Sequence, residues 1–288
     1  MIQEGDLDRD HAVALAVARV IAAERAGGAV EIRGIPERED RTNKVVELVT
    51  SDAVGTLALE HTLIEPYPGQ IRDGYRIRPY EEALPAILGN RLPVDSRFDL
   101  CFGIGAVDGI EPSREVLEAT AAWVIDTAPL LVDGRPGVAG AHMSTAGLPD
   151  VPFPLTLVRW PSSLETPGPR VTLRYWRPDD LEKRRIERLG RALGGKLPKL
   201  NAAANGGHER VLVVESADIQ FSNTIAIECA LRSAALAVNG PLPEWIVLWQ
   251  EYGDMAFVSV LRSGDSWIDD PEPSRVAAIP RGRDAHPR

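Results

Sequence analysis

The chain has 288 residues, 44% of them hydrophobic and 26% charged, enough apolar material for one large core or two closely packed halves. Its formal net charge of -10, from 32 basic against 42 acidic residues, excludes a bulk-basic protein that coats phosphate. Two cysteines make neither a disulfide framework nor a zinc cage. No run of about 18 apolar residues exists, and the acidic start MIQEGDLDRD is unlike a signal peptide. A cytoplasmic protein with no membrane partner is expected.

Residues 8–26 predict a helix, with Val13, Val17, Val20 and Ile21 at helical spacing and Gly27-Gly28 ending it. A short strand at 30–33 and a charged connector at 36–43 follow. Strands at 45–51 and 56–64 flank Asp52-Ala53-Val54-Gly55, which has the length and composition of a hairpin loop. The stretch 65–80 is rich in Pro, Gly, Tyr and Arg and predicts a loop, with a helix over 80–88 interrupted at Pro85. Residues 98–105 predict a buried strand ending in a tight turn. Its glycines lack the third Gly of a dinucleotide fingerprint and the Lys-Ser/Thr of a phosphate loop. A helix over 112–126 has Pro near its first turn.

From 129 to 169 the chain is dense in Pro and Gly, with one strand at 155–160, and predicts an insertion or boundary. Beyond it come a strand at 171–176 and a helix at 178–200 with breaks at Gly194-Gly195. The apolar run RVLVVE at 210–215 is of the kind found in a sheet covered on both faces. A helix at 223–238 and strands at 245–249 and 255–261 complete the pattern. Strands alternating with helices predict an α/β fold, a mixed sheet with helices against it. The expected organisation is a single domain over 1–268, with the insertion at about 129–169, and a flexible tail over 269–288. Cys101 and Cys229 both stand in apolar sequence and are expected to be buried thiols.

The most informative segment is the hairpin. If it closes with Ser51 opposite Thr56, antiparallel pairing puts Glu47 directly opposite Glu60 and Val45 opposite Thr62. One face then carries Val46, Leu48, Leu57, Leu59, His61 and Leu63; the other presents Glu47, Glu60 and Thr62 together. Like charges facing each other in a sheet repel. The pair is tolerated if it is well solvated, if one carboxyl is protonated, or if a cation sits between them. A solvent-facing sheet edge accounts for the pair equally well. His61 should point to the apolar side, as a core or supporting histidine that orients the strand. No C-x-x-C or H-E-x-x-H pattern occurs, which speaks against a zinc enzyme.

In the strands KVVELV and LALEHT the sequence resembles the PD-(D/E)XK nuclease superfamily, whose core sets an acid on one strand and a (D/E)-x-K tripeptide on the next. The whole run RTNKVVELVTSDAVGTLALEHTLIEPYPGQ looks like the "EHT" variants of uncharacterised bacterial members. The resemblance is clear over about residues 8–75 and only architectural beyond. It implies a restriction-endonuclease-like mixed β-sheet flanked by helices, with Glu47 as the central acid and Glu60 as the second ligand of Mg²⁺ or Mn²⁺. It makes Glu24 a candidate first-helix acid and Gln70 a supporting glutamine. Thr62 stands where the family has its lysine, so another cation must supply that charge, either Lys44 or a residue of the basic helix. If Asn43 rather than Glu47 is the aligned position, the central charge is lost.

That helix is the segment LEKRRIERLGRALGGKLPK at 181–199, with seven basic and two acidic residues. Arg184, Arg188 and Arg191 share one side of it, and with Lys196 and Lys199 they make a candidate surface for nucleic acid. A solvated face with internal ion pairs is the alternative. The function implied is metal-dependent hydrolysis of DNA or RNA phosphodiesters, in nucleic-acid processing or defence. The other reading is a catalytically inactive member of the same fold, used as a binding or assembly module.

Overall fold

The computed structural model describes residues 4–40, 45–65, 69–93, 96–132, 140–161, 170–176, 180–216, 224–252, 254–277 and 279. They fall into two compact units: Met1–Pro68 with Asp179–Arg288, and Gly69–Pro178. The expected insertion at 129–169 lies inside the second unit, which begins much earlier, at Gly69. Among the described residues no helix is long and apolar enough to cross a membrane.

The first unit opens with helix α1 (Arg9–Glu24), capped by Asp8, whose side chain accepts from the His11 N–H at 3.1 Å. Val13, Ala14, Val17, Ala18 and Ile21 make its buried stripe, small enough at the alanines for a close approach to the sheet. Strand β1 (Glu31–Gly34), a single turn of helix α2 (Pro36–Glu39), and strands β2 (Leu48–Ser51) and β3 (Thr56–Ile64) follow. The β2–β3 hairpin has the predicted register, Ser51 opposite Thr56 and Leu48 opposite Leu59. Asp52 fixes its loop by accepting from the N–H groups of Val54 and Gly55 at 2.8 and 3.1 Å.

The second unit comprises α3 (Gln70–Leu88), β4 (Ser96–Phe102), α4 (Arg114–Thr127), β5 (Met143–Gly147), β6 (Pro154–Pro161) and β7 (Arg170–Tyr175). Of the predicted loop over 65–80, residues 70–80 are instead the first half of α3, which runs on through Pro79 and Pro85, and 66–68 lie outside the described residues. Ile77, Tyr80, Leu84 and Leu88 fall on one side of it and are buried, so their packing outweighs the lost backbone hydrogen bonds. The four strands lie in the order β5-β6-β4-β7. Phe98, Leu100, Phe102, Leu155, Leu157 and Leu173 turn one face of this sheet toward the apolar sides of α3 and α4.

The chain returns to the first unit with α5 (Leu181–Ala204), β8 (Glu209–Ser216), α6 (Thr224–Ala235), β9 (Trp245–Tyr252), β10 (Met255–Ser263), β11 (Ser266–Trp267) and β12 (Ser274–Ala277). The sheet order is β1-β2-β3-β8-β9-β10-β11, with β3, β8 and β9 mutually parallel and β12 on β10. No break occurs at Gly194-Gly195: Leu189, Leu193, Leu197 and Leu200 keep one buried stripe across them. Within the tail expected from residue 269, Ser274–Ala277 forms β12 and pairs with Met255–Val258.

Both faces of this sheet are covered. Leu57, Leu59, Val211, Val213, Val247 and Trp249 pack with α1, while Ala58, Leu212, Val214, Ile246 and Leu248 pack with the leucines of α5 and the apolar side of α6. The uniformly apolar β8 follows from this arrangement, since successive residues serve opposite cores. The buried fate expected for both cysteines holds only for Cys101, whose thiol is pushed up to about 12, first by burial and then by Asp99. Cys229 is exposed, because Ile227, Ala230, Leu231 and Ala234 define the buried side of α6 and it falls outside them.

Candidate functional site

Glu47 and Glu60 converge. β2 begins at Leu48, so Glu47 stands just outside the ladder, and its Oε2 accepts the backbone N–H of His61 at 2.7 Å. Glu60 projects from the middle of β3, toward α5, and is fully buried. Of the alternatives open for the pair, the solvent-facing edge is not what the structure has, because α5 covers that face; Val46, expected on the other face, joins the α5 core instead.

The cation between the two acids comes from α5. Lys196 Nζ lies 2.5 Å from Glu47 Oε1 and 2.8 Å from Glu60 Oε2, and Lys199 Nζ lies 3.3 Å from Glu60 Oε1. Both lysines were expected on a phosphate-facing surface. The geometry turns them inward, because positions 196 and 199 flank Leu197 and Leu200 on the buried side of the helix. Burial and then the negative charge of Glu47 raise the pKa of Glu60, against the pull of Lys196 and Lys199. Burial alone would lower the pKa of Lys196, but the charges and hydrogen bonds of Glu47 and Glu60 raise it. The cation between the acids thus comes from a distant helix, which two lysines three residues apart on a leucine-striped helix could have signalled.

The other expected residues divide. Thr62 lies two residues beyond Glu60, half-buried and paired in register with Val214. Glu24 is exposed on the last turn of α1, the helix on the opposite face of the sheet, so it is not part of the site. Gln70 is the first residue of α3, in the second unit. Lys44 and Asn43 lie outside the described residues. Arg184, Arg188 and Arg191 do come together, lining a shallow depression of about 260 Å³ with Glu65, Asp180 and Glu187. Arg184 is tied to Asp180 at 2.8 Å, so part of this basic side is spent on internal pairing.

His61 points to the α1 face, as its place in the strand predicts, and is buried there. Sequence reasoning did not foresee its partners. Its Nε2 lies 2.8 Å from Oε2 of Glu215 on β8, and Arg9 closes on Glu215 with two hydrogen bonds, at 2.7 and 2.6 Å. Arg9 also reaches Glu251 of β9 at 2.6 Å. One strand therefore carries carboxylate chemistry on one side, and on the other an ion network that locks its histidine.

Among the described residues no group of three or more His, Cys, Asp or Glu side chains could hold a metal ion. The donor set at the convergence is two carboxylates, and Glu60 Oε1, buried and without a hydrogen bond, has only the Lys199 ammonium, 3.3 Å away. Two carboxylates are enough for Mg²⁺, which takes one or two and completes its shell with water and phosphate oxygens. The set fits such an ion provided that Lys196 Nζ yields its bridging position. No protein family, curated protein or solved structure matches the chain.

Proposed function

We propose that the chain is a metal-dependent nuclease of the PD-(D/E)XK kind, with a restriction-endonuclease-like sheet, hydrolysing DNA or RNA phosphodiesters. The observation that carries this reading is one ammonium, Lys196, touching both Glu47 and Glu60. An acid at the entry of β2, an acid within the adjacent β3 and a lysine are thereby assembled in one place, although the lysine does not belong to the tripeptide. Bound to the two carboxylates, Mg²⁺ or Mn²⁺ would stabilise charge on the scissile phosphate and acidify a water.

The chain's own residues have definite tasks in this scheme. Glu47 and Glu60 present the ligand oxygens, with Glu47 held in place by the His61 N–H. Lys196, released from between them, offers its ammonium to a phosphate oxygen, and Lys199 stays as the partner of Glu60. Arg184, Arg188 and Arg191 guide the backbone of the nucleic acid from the same helix.

A second reading is favoured by the same contact. Two carboxylates already neutralised by two lysines make a self-contained ion cluster, as a catalytically inactive fold used for binding or assembly would retain. The readings separate in one assay, Mg²⁺- and Mn²⁺-dependent cleavage of single- and double-stranded DNA and RNA by wild type, Glu60→Gln and Lys196→Met. The nuclease reading expects cleavage by wild type and a loss of at least about 100-fold in each variant. Equal cleavage by all three, or none by wild type, rejects it.

A further inference from the structure

The second unit's sheet has a face that its core does not use. Phe98, Leu100 and Phe102 turn inward from β4, so Arg97, Asp99 and Cys101 turn to the other side. In register beside them stand Trp160, Val158 and Thr156 of β6, with Thr172 and Arg174 of β7 across from Asp99 and Cys101; Val158 and Cys101 are buried on this face, and its exposed aromatics are at its two ends. Trp176 follows β7, and its N–H bonds to the Phe102 carbonyl at 2.7 Å, extending the strand's alternation by one more residue on this side.

Trp160 and Trp176 are 44% and 43% exposed, unusual for the largest aromatic side chain. Trp160 is held at its edge. The indole N–H of Trp160 donates to Asp99 Oδ2 at 2.8 Å, and Arg174 Nε meets the same oxygen at 3.0 Å. One carboxylate thus anchors the edge of an indole and a guanidinium, while the indole stays 44% exposed. Along the sheet, the Trp160 and Trp176 positions stand roughly 20 Å apart at strand spacing.

We infer that this face binds single-stranded nucleic acid, stacking unpaired bases on Trp160 and Trp176 while Arg97 and Arg174 meet the phosphates. Open sheets with exposed aromatics beside arginines suit bases that have left the stack, whereas a duplex offers such rings only its edges and backbone. The place of the unit in the chain agrees: Gly69–Pro178 is inserted between β3, which carries Glu60, and α5, which carries Lys196. A binding module tethered at both ends to the elements of a cleavage site would supply it with substrate. The inference rests on the nuclease reading for that purpose, but binding itself does not depend on it.

The test is fluorescence anisotropy of the full chain, in chelator and without divalent ions, using labelled oligothymidylate, oligouridylate and a blunt DNA duplex. Wild type should bind either single strand at least about tenfold more tightly than the duplex. Trp160→Ala should weaken that binding about tenfold, and Trp160→Ala with Trp176→Ala further. Trp160→Phe, which keeps a ring, should retain most of it. Wild-type melting curves in the alanine variants make a loss of binding specific to the face. Unchanged affinity in folded Trp160→Ala, or a preference for duplex, overturns the inference. So does an absence of binding, whether or not sedimentation shows self-association that the alanine variants lose. Single-strand binding without cleavage in Mg²⁺ would remove the nuclease reading and leave the face standing; cleavage indifferent to both tryptophans would do the reverse.

Discussion

His61 Nε2 sits 2.8 Å from Glu215 Oε2 in a site where neither side chain is more than 3% exposed. Burial alone would push the Glu215 carboxyl up, but the hydrogen bonds and charges of His61 and Arg9 overcome it and hold the pKa at about 2. A folded-state pKa below the ordinary 4.5 contributes stability that is complete above that value and is lost as pH falls toward 2. The shift corresponds to about 3 kcal/mol. Wild type should therefore lose stability steeply between pH 4.5 and 2, and Glu215→Gln, already destabilised, should lose less over the same range. Urea midpoints across that interval measure both. Parallel curves would mean that Glu215 is not the group that titrates.

Lys196 is the cation of an ion pair that is almost entirely inside the protein, since Glu60 is fully buried and Glu47 nearly so. Removing it leaves two facing carboxylates with only Lys199 beside them. Lys196→Met should cost about 3–5 kcal/mol, the usual consequence of stranding a buried charge. The double variant Lys196→Met/Glu60→Gln should recover most of that loss, because the repulsion disappears with the charge. Chemical denaturation of the four proteins of this cycle gives the coupling directly.

Glu60 carries the opposite pH dependence to Glu215. Its pKa is raised by burial and by Glu47, so its stabilising contribution is full below the ordinary 4.5 and is lost as pH rises through the raised value. Melting temperatures of Glu60→Gln should fall less than those of wild type as pH rises above 4.5. An identical slope for the two proteins would show that Lys196 and Lys199 outweigh both burial and Glu47.

The two thiols differ enough to be told apart with a reagent. Cys229 is exposed, whereas Cys101 is buried and its pKa is pushed up to about 12. A maleimide at neutral pH should label one cysteine in the native protein and both in urea. Replacing Cys229 with Ser should abolish native labelling without altering the melting temperature by more than about 1 °C.

The hairpin was legible because three constraints agree there: β-branched strands, an Asp at the start of a four-residue loop, and apolar residues on alternate positions. They place Leu48 opposite Leu59 and bring Glu47 to Glu60. What alternation cannot disclose is whether the polar face is wet. Glu60 looks like a surface residue until α5 is laid across it, and its partner stands 136 residues further along the chain. The ion network of Arg9, Glu215 and Glu251 was hidden for the same reason, being drawn from three elements that no local pattern links. The helix over residues 70–80 is not legible in the sequence because prolines mark breaks on average. Here Ile77, Tyr80, Leu84 and Leu88 bind the helix to its sheet strongly enough to carry Pro79 and Pro85 inside it.

The interruption of the first unit by the second has a consequence during synthesis. Gly69–Pro178 is continuous in sequence and can complete its own core while the rest of the chain is still being made. β3 cannot meet β8 until roughly 150 further residues have left the ribosome, since Leu57 pairs with Glu209. Until then its hydrogen-bonding edge is unpaired, and Glu60 lacks the helix that covers it. A prefolded insert would shorten the effective loop between β3 and α5 and lower the entropy of closing it. Assembly of the carboxylates with Lys196 is accordingly a late event in biosynthesis, one a nascent chain cannot reach before α5 has emerged.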